Sequence, residues 1–252
     1  MIAAGALIVP EWPAPAAVRS ACTTRIGGVS GGRYAGLNLG GGGDDAAAVS
    51  ENRRRLFAAL DLPAPPQWIR QVHGVAVARM PDAGEGTEAD ASVTTAHNVV
   101  CAVQSADCLP VLFCDRAGTV VAAAHAGWRG LAAGVLEATV AAMPAAPAAL
   151  LAWMGPAIGP AAFEVGADVR AQFLAVDPAA AAAFTASARA DHFYADLFAL
   201  ARQRLRRAGV DKVFGGGVCT WSDPARFYSF RRDGITGRSA ALIWLDGPVR
   251  SH

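Results

Sequence analysis

The stretch that decides the fold is residues 98–126, "NVVCAVQSADCLPVLFCDRAGTVVAAAHA". It holds three apolar runs, 98–105, 110–115 and 119–126. They are rich in Val and Phe and too short for ordinary helices, so they read as strands. "DRAG", between the last two, has the composition of a hairpin turn. The third run ends on an imidazole, His125, with Gly127, Trp128, Arg129 and Gly130 following at once. Strand alternation puts Val121, Ala123 and His125 on one face, so the histidine stands at the mouth of a buried strand.

Downstream, residues 129–143 switch to a helical pattern, with Leu131, Val135, Ala138 and Ala142 on one face. "ALLAWMG" (149–155) is another buried strand. Residues 165–176 and 195–208 read as helices, the second carrying a stripe of Leu197, Leu200, Ala201 and Leu205. "KVFGGGVCT" (212–220) is a strand running into a glycine-rich turn, and "RFYSFRR" (226–232) and "GRSAALIWL" (237–245) close the chain as strands.

Upstream, "AVRSACTTR" (17–25) is a strand that enters a long glycine-rich loop, 26–45. Loops of that length are usually functional. A helix follows, capped by Asp44 or Asp45, with Val49, Leu56 and Leu60 on one face; Pro63, Pro65 and Pro66 stop it. "QWIRQVH" (67–73) and "VAVARM" (75–80) read as short strands and 81–90 as a loop. Strands and helices intermix without regular βαβ alternation. The expected class is α+β, one domain over 1–252, with a mixed sheet or two packed sheets. Neither G-x-G-x-x-G opening a helix nor G-x-x-x-x-G-K-[ST] occurs, so those two phosphate-binding devices are unsupported.

The 252 residues carry 17% charged side chains and a net charge of +1. Nothing there suggests a nucleic-acid or membrane surface. The five cysteines, Cys22, Cys101, Cys108, Cys114 and Cys219, are scattered and form no C-x-x-C pair. That argues for a reducing compartment. The apolar N-terminus lacks a basic flank, and no uninterrupted apolar run reaches the ~18 residues of a membrane span. A cytoplasmic protein is expected.

Three ligand-capable side chains fall at strand ends: His73 after "QWIRQV", Cys108 just beyond "NVVCAVQS", and His125. Two imidazoles and a thiolate suit zinc, and three protein ligands leave a fourth position for water. Zinc lowers the pKa of such a water from 15.7 towards ~7. One thiolate also makes copper(I) an option. The spacing matches no compact finger signature, and a histidine closing a strand is as readily a hydrogen-bonded structural residue. A closed structural zinc site would need a fourth ligand, Cys101 or Cys114. Asp90 and Asp107 are candidates to orient an imidazole or move a proton, or are simply turn residues. Arg25 and Ser30, in the glycine-rich loop, could bind a phosphate-sized anion, and Arg129 could clamp one near a metal. Arg53, Arg54 and Arg55 read as a solvated helix face. Arg231, Arg232 and Arg238 form a second basic cluster with a salt-bridge role as its default.

Taken in order, "TTRIGGVSGGRYAGLNLG", "RQVHG", "ADASVT", "SADCLPVLF", "AAAHAGWRG", "MGPAIGPAAFEVG", "GGGVCT" and "FYSFRRDGITGR" resemble the YfiH family. That family is also described as laccase-like multicopper polyphenol oxidases and as bacterial purine nucleoside phosphorylases. The resemblance spans nearly the whole chain. It implies a metal site at His73, Cys108 and His125, and a β-sandwich core flanked by helices, distantly similar to the cytotoxic necrotizing factor catalytic domain. The implied activity is zinc-dependent phosphorolysis of adenosine, inosine, guanosine and methylthioadenosine, with adenosine deamination at the same site. In that reading Asp107 and Asp90 are the candidate proton carriers, Arg25 and Ser30 the candidate phosphate ligands, and the residues near Arg129 the candidate base or ribose contacts, in a monomer acting on small molecules. The "GGGG" at 40–43 departs from the family pattern, and 177–192 matches none of its motifs.

Two alternatives use the same residues. A copper-dependent polyphenol oxidase needs a mononuclear copper plus a three-copper cluster, and the chain offers only five histidines: His73, His97, His125, His192 and His252. A peptidoglycan-precursor editing hydrolase would use Cys108 as a nucleophile paired with a histidine, and would survive chelation.

Overall fold

A computed structural model describes residues 5–247. The elements run β1 (Leu7–Ile8), β2 (Val18–Thr23), α1 (Ala46–Leu60), β3 (Val77–Arg79), β4 (Ala91–Thr94), β5 (Val100–Ser105), β6 (Leu109–Asp115) and β7 (Val121–Ala126). Then come α2 (Trp128–Ala133), α3 (Val135–Ala142), β8 (Leu150–Met154), β9 (Glu164–Gly166), α4 (Ala167–Val176), β10 (Phe184–Ala186) and β11 (His192–Ala195). The chain closes with α5 (Leu197–Arg207), β12 (Lys212–Gly215), α6 (Phe230–Asp233) and β13 (Ser239–Leu245).

Two sheets stack face to face. One has the order β1-β2-β13-β5 and the other β12-β8-β6-β7-β4-β3. The first is antiparallel. The second is mixed, with β12 on β8 and β3 on β4 parallel and the β6–β7 hairpin antiparallel. Cys101, Val103, Ala241 and Ile243 meet Leu112, Cys114, Val121 and Ala123 between them. Helices α2, α3 and α5 cover the outer face of the larger sheet through Leu131, Val135, Leu136 and Leu205. Helix α1 covers the outer face of the smaller one, where Leu56 meets Val100, Leu242 and Trp244. The architecture is therefore α+β: a β-sandwich flanked by helices.

Strand β7 explains why its sequence does not alternate. Both of its faces are buried, Val121 and Ala123 against the other sheet and Ala122, Ala124 and Ala126 against helices. Alanine is a poor strand former, yet here its small size lets two layers close on one strand, and packing overrides propensity.

Four local expectations change. Residues 67–73 form no strand; Arg70 makes a single bridge to Glu88, and the following backbone N–H groups are taken by a carboxylate described below. Residues 226–232 form no strand either. Ser229 accepts from the Arg232 N–H and starts α6. The 129–143 helix is two, broken at Gly134, whose φ of 105° suits glycine alone, and the buried residues of the second half are Val135, Leu136, Thr139 and Val140. Arg53 is not on a solvated face: it donates to the Leu39 carbonyl and lies 4.7 Å over the Trp68 ring. A small sheet, β10-β11-β9, takes in β10 (Phe184–Ala186), which lies within 177–192, the segment that matches none of the family's motifs. No helix among the described residues is long and apolar enough to cross a membrane.

Candidate functional site

Three junctions of the sandwich bring the ligands together. Cys108 lies in the short crossover from β5 to β6, where the chain passes from one sheet to the other. His125 is the penultimate residue of β7. His73 sits on an irregular segment before β3. Their ligand atoms all lie within 4.8 Å of one another. Cys108 Sγ is 3.8 Å from His73 Nε2, and the two imidazoles meet edge-on with centroids 4.9 Å apart.

Asp90, fully buried just before β4, organises this arrangement. Its Oδ1 accepts from His125 Nδ1 at 2.8 Å and from the His73 N–H at 2.9 Å. Its Oδ2 accepts from the Gly74 N–H at 2.6 Å and the Val72 N–H at 3.1 Å. An ionised carboxylate only accepts, so His125 carries its proton on Nδ1 and keeps Nε2 for a ligand. The same four bonds hold His73 at φ 61°, a left-handed conformation uncommon for a residue with a Cβ. This is one reason why the end of the segment fails to pair as a strand: the Val72, His73 and Gly74 N–H groups belong to Asp90.

Charge completes the centre. Burial pushes the Cys108 thiol up, but the charge of His125 and hydrogen bonds from His125 and His73 outweigh it and bring the thiol down to about 6. For His125, burial favours the neutral ring, yet the Cys108 thiolate and Asp90 raise it to about 9. The two shifts run in opposite directions, so each partner favours the other's charged form, a thiolate facing an imidazolium, from which a cation would displace one proton. Gly127 leaves room for it: a Cβ there would lie 2.8 Å from His73 Cδ2 and 2.9 Å from Cys108 Sγ. The soft–borderline donor set, the fixed tautomer and this open cradle fit zinc. Among the described residues this is the one cluster of three or more His, Cys, Asp or Glu side chains arranged to hold a metal.

The three ligands line a cavity of about 780 Å³. Its walls include apolar surface from Ile69, Trp128, Ile158 and Phe163, and the guanidinium-bearing residues Arg129, Arg231 and Arg238. Arg129 stacks 4.4 Å over Trp128. None of these three arginines has a carboxylate partner among the described residues.

The other sequence candidates divide. Arg129 lines the cavity, as expected of an anion clamp. Arg25 and Ser30 do not. Arg25 donates to the Ala35 and Pro224 carbonyls and stacks over Tyr228, and Ser30 donates to Asp44 at 2.6 Å while accepting from Asn52. A carboxylate beside Ser30 repels phosphate, so both residues hold the glycine-rich loop instead. Asp107 lines the cavity but is engaged by Thr220, Ser229 and Arg231. The basic cluster at 231–238 splits as well. Arg232 is spent on Asp233 and three carbonyls, whereas Arg231 and Arg238 reach the cavity. The local signal was available: Asp233, next to Arg232, is the cluster's only acid.

A family model described as multi-copper polyphenol oxidoreductase laccase matches residues 19–246. An Escherichia coli (strain K12) protein named purine nucleoside phosphorylase YfiH is 55% identical over 243 residues, 95% of this chain and 98% of its own. The crystal structure of a Neisseria meningitidis protein of family DUF152 superposes with a TM-score of 0.92 at 52% identity, covering 96% of this chain and 100% of that one. That of Bacillus licheniformis YfiH gives 0.90 at 28% identity, covering 96% and 97%. A match that runs from β2 to β13, with His73, Cys108 and His125 inside it, means that the chain belongs to the YfiH (DUF152) family of laccase-like proteins.

Proposed function

We propose that this protein is a zinc-dependent purine nucleoside phosphorylase acting on adenosine, inosine, guanosine and methylthioadenosine, with adenosine deamination as a lesser activity of the same centre. One observation carries the reading: a single cavity joins a three-ligand metal cradle to arginines that no carboxylate neutralises. A close relative named purine nucleoside phosphorylase supports it.

In phosphorolysis the C1′–N9 bond breaks with its electron pair on the purine, and a phosphate oxygen bonds to C1′. The proton carried by hydrogen phosphate ends on the purine nitrogen, leaving ribose 1-phosphate. Arg129 and Arg231 are placed to bind the phosphate dianion by paired N–H donors and to orient it. Trp128, Phe163 and Ile69 offer apolar surface to a purine ring and keep water from competing with phosphate. His73, Cys108 and His125 hold the cation, and zinc bound there supplies Lewis acidity. Deamination needs a proton relay. Asp107, the one carboxylate on the cavity wall, accepts from three donors, and Asp90 from four, which is why phosphorolysis ranks first. Five free thiols suit a protein working in a reducing cytoplasm.

A multicopper oxidase is disfavoured by its ligands. His97 bonds the Asp246 carbonyl and His192 the Ala190 carbonyl, and neither joins the cluster. The test is inosine plus phosphate with zinc-loaded protein. Equimolar hypoxanthine and ribose 1-phosphate are expected, dependent on phosphate, abolished by chelation and restored by zinc. Absence of both products with one zinc per chain refutes the reading. Cleavage of a muropeptide precursor that survives chelation would replace it with the thiolate-nucleophile reading.

A further inference from the structure

We infer that Asp107 is a positioning residue that fixes the anion-binding arginine, Arg231, relative to the metal ligand Cys108; the inference rests on the phosphorolysis reading. Asp107 immediately precedes Cys108 and is held at φ 86°, a left-handed conformation that costs a non-glycine residue energy and persists only where its surroundings fix it. Its carboxylate is buried and fully used. Oδ1 accepts from Thr220 Oγ1 at 2.6 Å; Oδ2 accepts from Ser229 Oγ at 2.9 Å and from the Arg231 N–H at 2.7 Å. Its own carbonyl accepts from the Ile158 N–H at 2.9 Å.

These bonds tie three distant segments to the residue beside the thiolate: the loop after β8, the turn after β12, and the first turn of α6. The last matters most. Ser229 caps α6, and its hydroxyl hydrogen is directed to Asp107. Arg231 is held twice, through its N–H to Asp107 and through its guanidinium to the Glu164 carbonyl at 2.7 Å, above the Phe163 ring. Both oxygens of Asp107 face fixed donors, so what it supplies is distance and angle rather than a proton. The reaction needs phosphate at a set separation from the metal-bound end of the cavity, and the Asp107 tether defines it.

The test is a cycle of Asp107→Asn, Arg231→Ala and the double variant, each zinc-loaded, with inorganic phosphate and inosine varied separately. Asparagine tolerates the left-handed backbone and keeps one acceptor, but turns an amide N–H₂ toward the Arg231 N–H or toward Thr220. Misplacing a binding group by about 1 Å costs up to about a hundredfold, and a smaller shift of Arg231 is expected to raise the phosphate KM about tenfold. Inosine KM and zinc per chain should stay within about twofold, and the double variant should be no worse in phosphate KM than Arg231→Ala alone. Independent multiplication of the two effects overturns the inference. So does a fall in kcat at unchanged phosphate KM, the signature of a proton carrier, or a lower Tm with unchanged kinetics, the signature of a purely structural role. If Asp107→Asn does not fold, Ser229→Ala, which removes one of the three carboxylate donors, replaces it. A raised phosphate KM is expected and an unchanged one refutes. If the parent makes no ribose 1-phosphate, the functional reading has failed instead. Calorimetric titration of inorganic phosphate into parent and Asp107→Asn then decides the tether separately: equal affinity sinks it and weaker binding in the variant sustains it.

Discussion

Replacing Asp90 by Asn removes one formal charge and almost no volume, yet it should disable two metal ligands together. Four N–H groups point at the carboxylate, two at each oxygen. Asparagine has one oxygen. If it faces Val72 and Gly74, its N–H₂ meets His73 N–H and His125 Nδ1. The imidazole can then accept only by moving its proton to Nε2, the nitrogen that the cation needs. If the oxygen faces His125 instead, the N–H₂ opposes the Val72 and Gly74 N–H groups and the turn carrying His73 is released. Each orphaned donor costs about 1–3 kcal/mol when buried. Val72 and Gly74 are partly exposed, so the lower end applies and the metal-free variant should lose about 1–3 kcal/mol. For a chain of this size that lowers Tm by about 2–4 °C per kcal/mol. Loss of an outer-shell partner typically weakens metal binding about 10–100-fold, equivalent to about 1.4–2.8 kcal/mol. Competition against a chromogenic zinc chelator gives the affinity, and urea unfolding in excess chelator gives the stability. A variant that binds zinc within about twofold of the parent, with His125 still protonated on Nδ1 by NMR, would refute the assignment of Asp90.

Three further outcomes follow from the geometry. Gly127→Ala is permitted by its backbone, at φ −59° and ψ 154°, but its methyl would occupy the space between His73 and Cys108; zinc affinity should fall at least about tenfold with Tm little changed, and parental zinc binding would show that the cradle lies elsewhere. Arg129→Ala should raise the phosphate KM about tenfold, whereas Arg25→Ala and Ser30→Ala should lower Tm and leave that KM unchanged; the reverse pattern would restore the glycine-rich loop as the anion site. Asp115 closes the β6–β7 hairpin by accepting from the Thr119 hydroxyl and the Thr119 and Val120 N–H groups, which outweigh burial and hold its carboxyl below the usual range. Its contribution is therefore present above the unfolded carboxyl pKa and is lost as pH falls through the lowered one. Stability measured from pH 6 to 3 should drop less steeply in Asp115→Asn than in the parent, and equal slopes would contradict the assignment.

Much of this was legible in the chain. Strands β5 to β8 and β13 announce themselves as short apolar runs, and the β6–β7 hairpin by Asp and Gly at its turn. The ligands were legible as polar side chains at the ends of apolar runs, where burial stops and a cavity can open. What stayed hidden was non-local competition for backbone hydrogen bonds. Residues 67–73 have a strand's composition, but Asp90, distant in sequence, takes the Val72 and His73 N–H groups and the Thr87 carbonyl takes that of Arg70. Residues 226–232 likewise carry aromatic residues in a strand-like run, but Ser229 and Asp107 bend them into a helical turn. Arg25 and Ser30 looked like an anion site because glycine-rich loops often are one. Asp44, Ala35 and Pro224, which take up their hydrogen bonds, are set by loop closure, and local pattern does not encode that.

The geometry also bears on whether an ion held at His73, Cys108 and His125 would be structural or catalytic. A structural zinc site normally closes with four protein ligands and carries much of the folding energy of a small domain. Here the thiols that could supply a fourth ligand are removed from the question. Cys101 and Cys114 lie inside β5 and β6, buried between the sheets. Burial raises both thiols to about 12, with the Asp115 charge adding to the effect at Cys114, so each stays a neutral thiol at physiological pH. The sandwich closes on its own apolar layers, and His73, Cys108 and His125 stand at its rim, on junctions held by the hydrogen bonds of Asp90 and Asp107. A cation held there by three side chains and facing a basic cavity would have the geometry of a reaction centre.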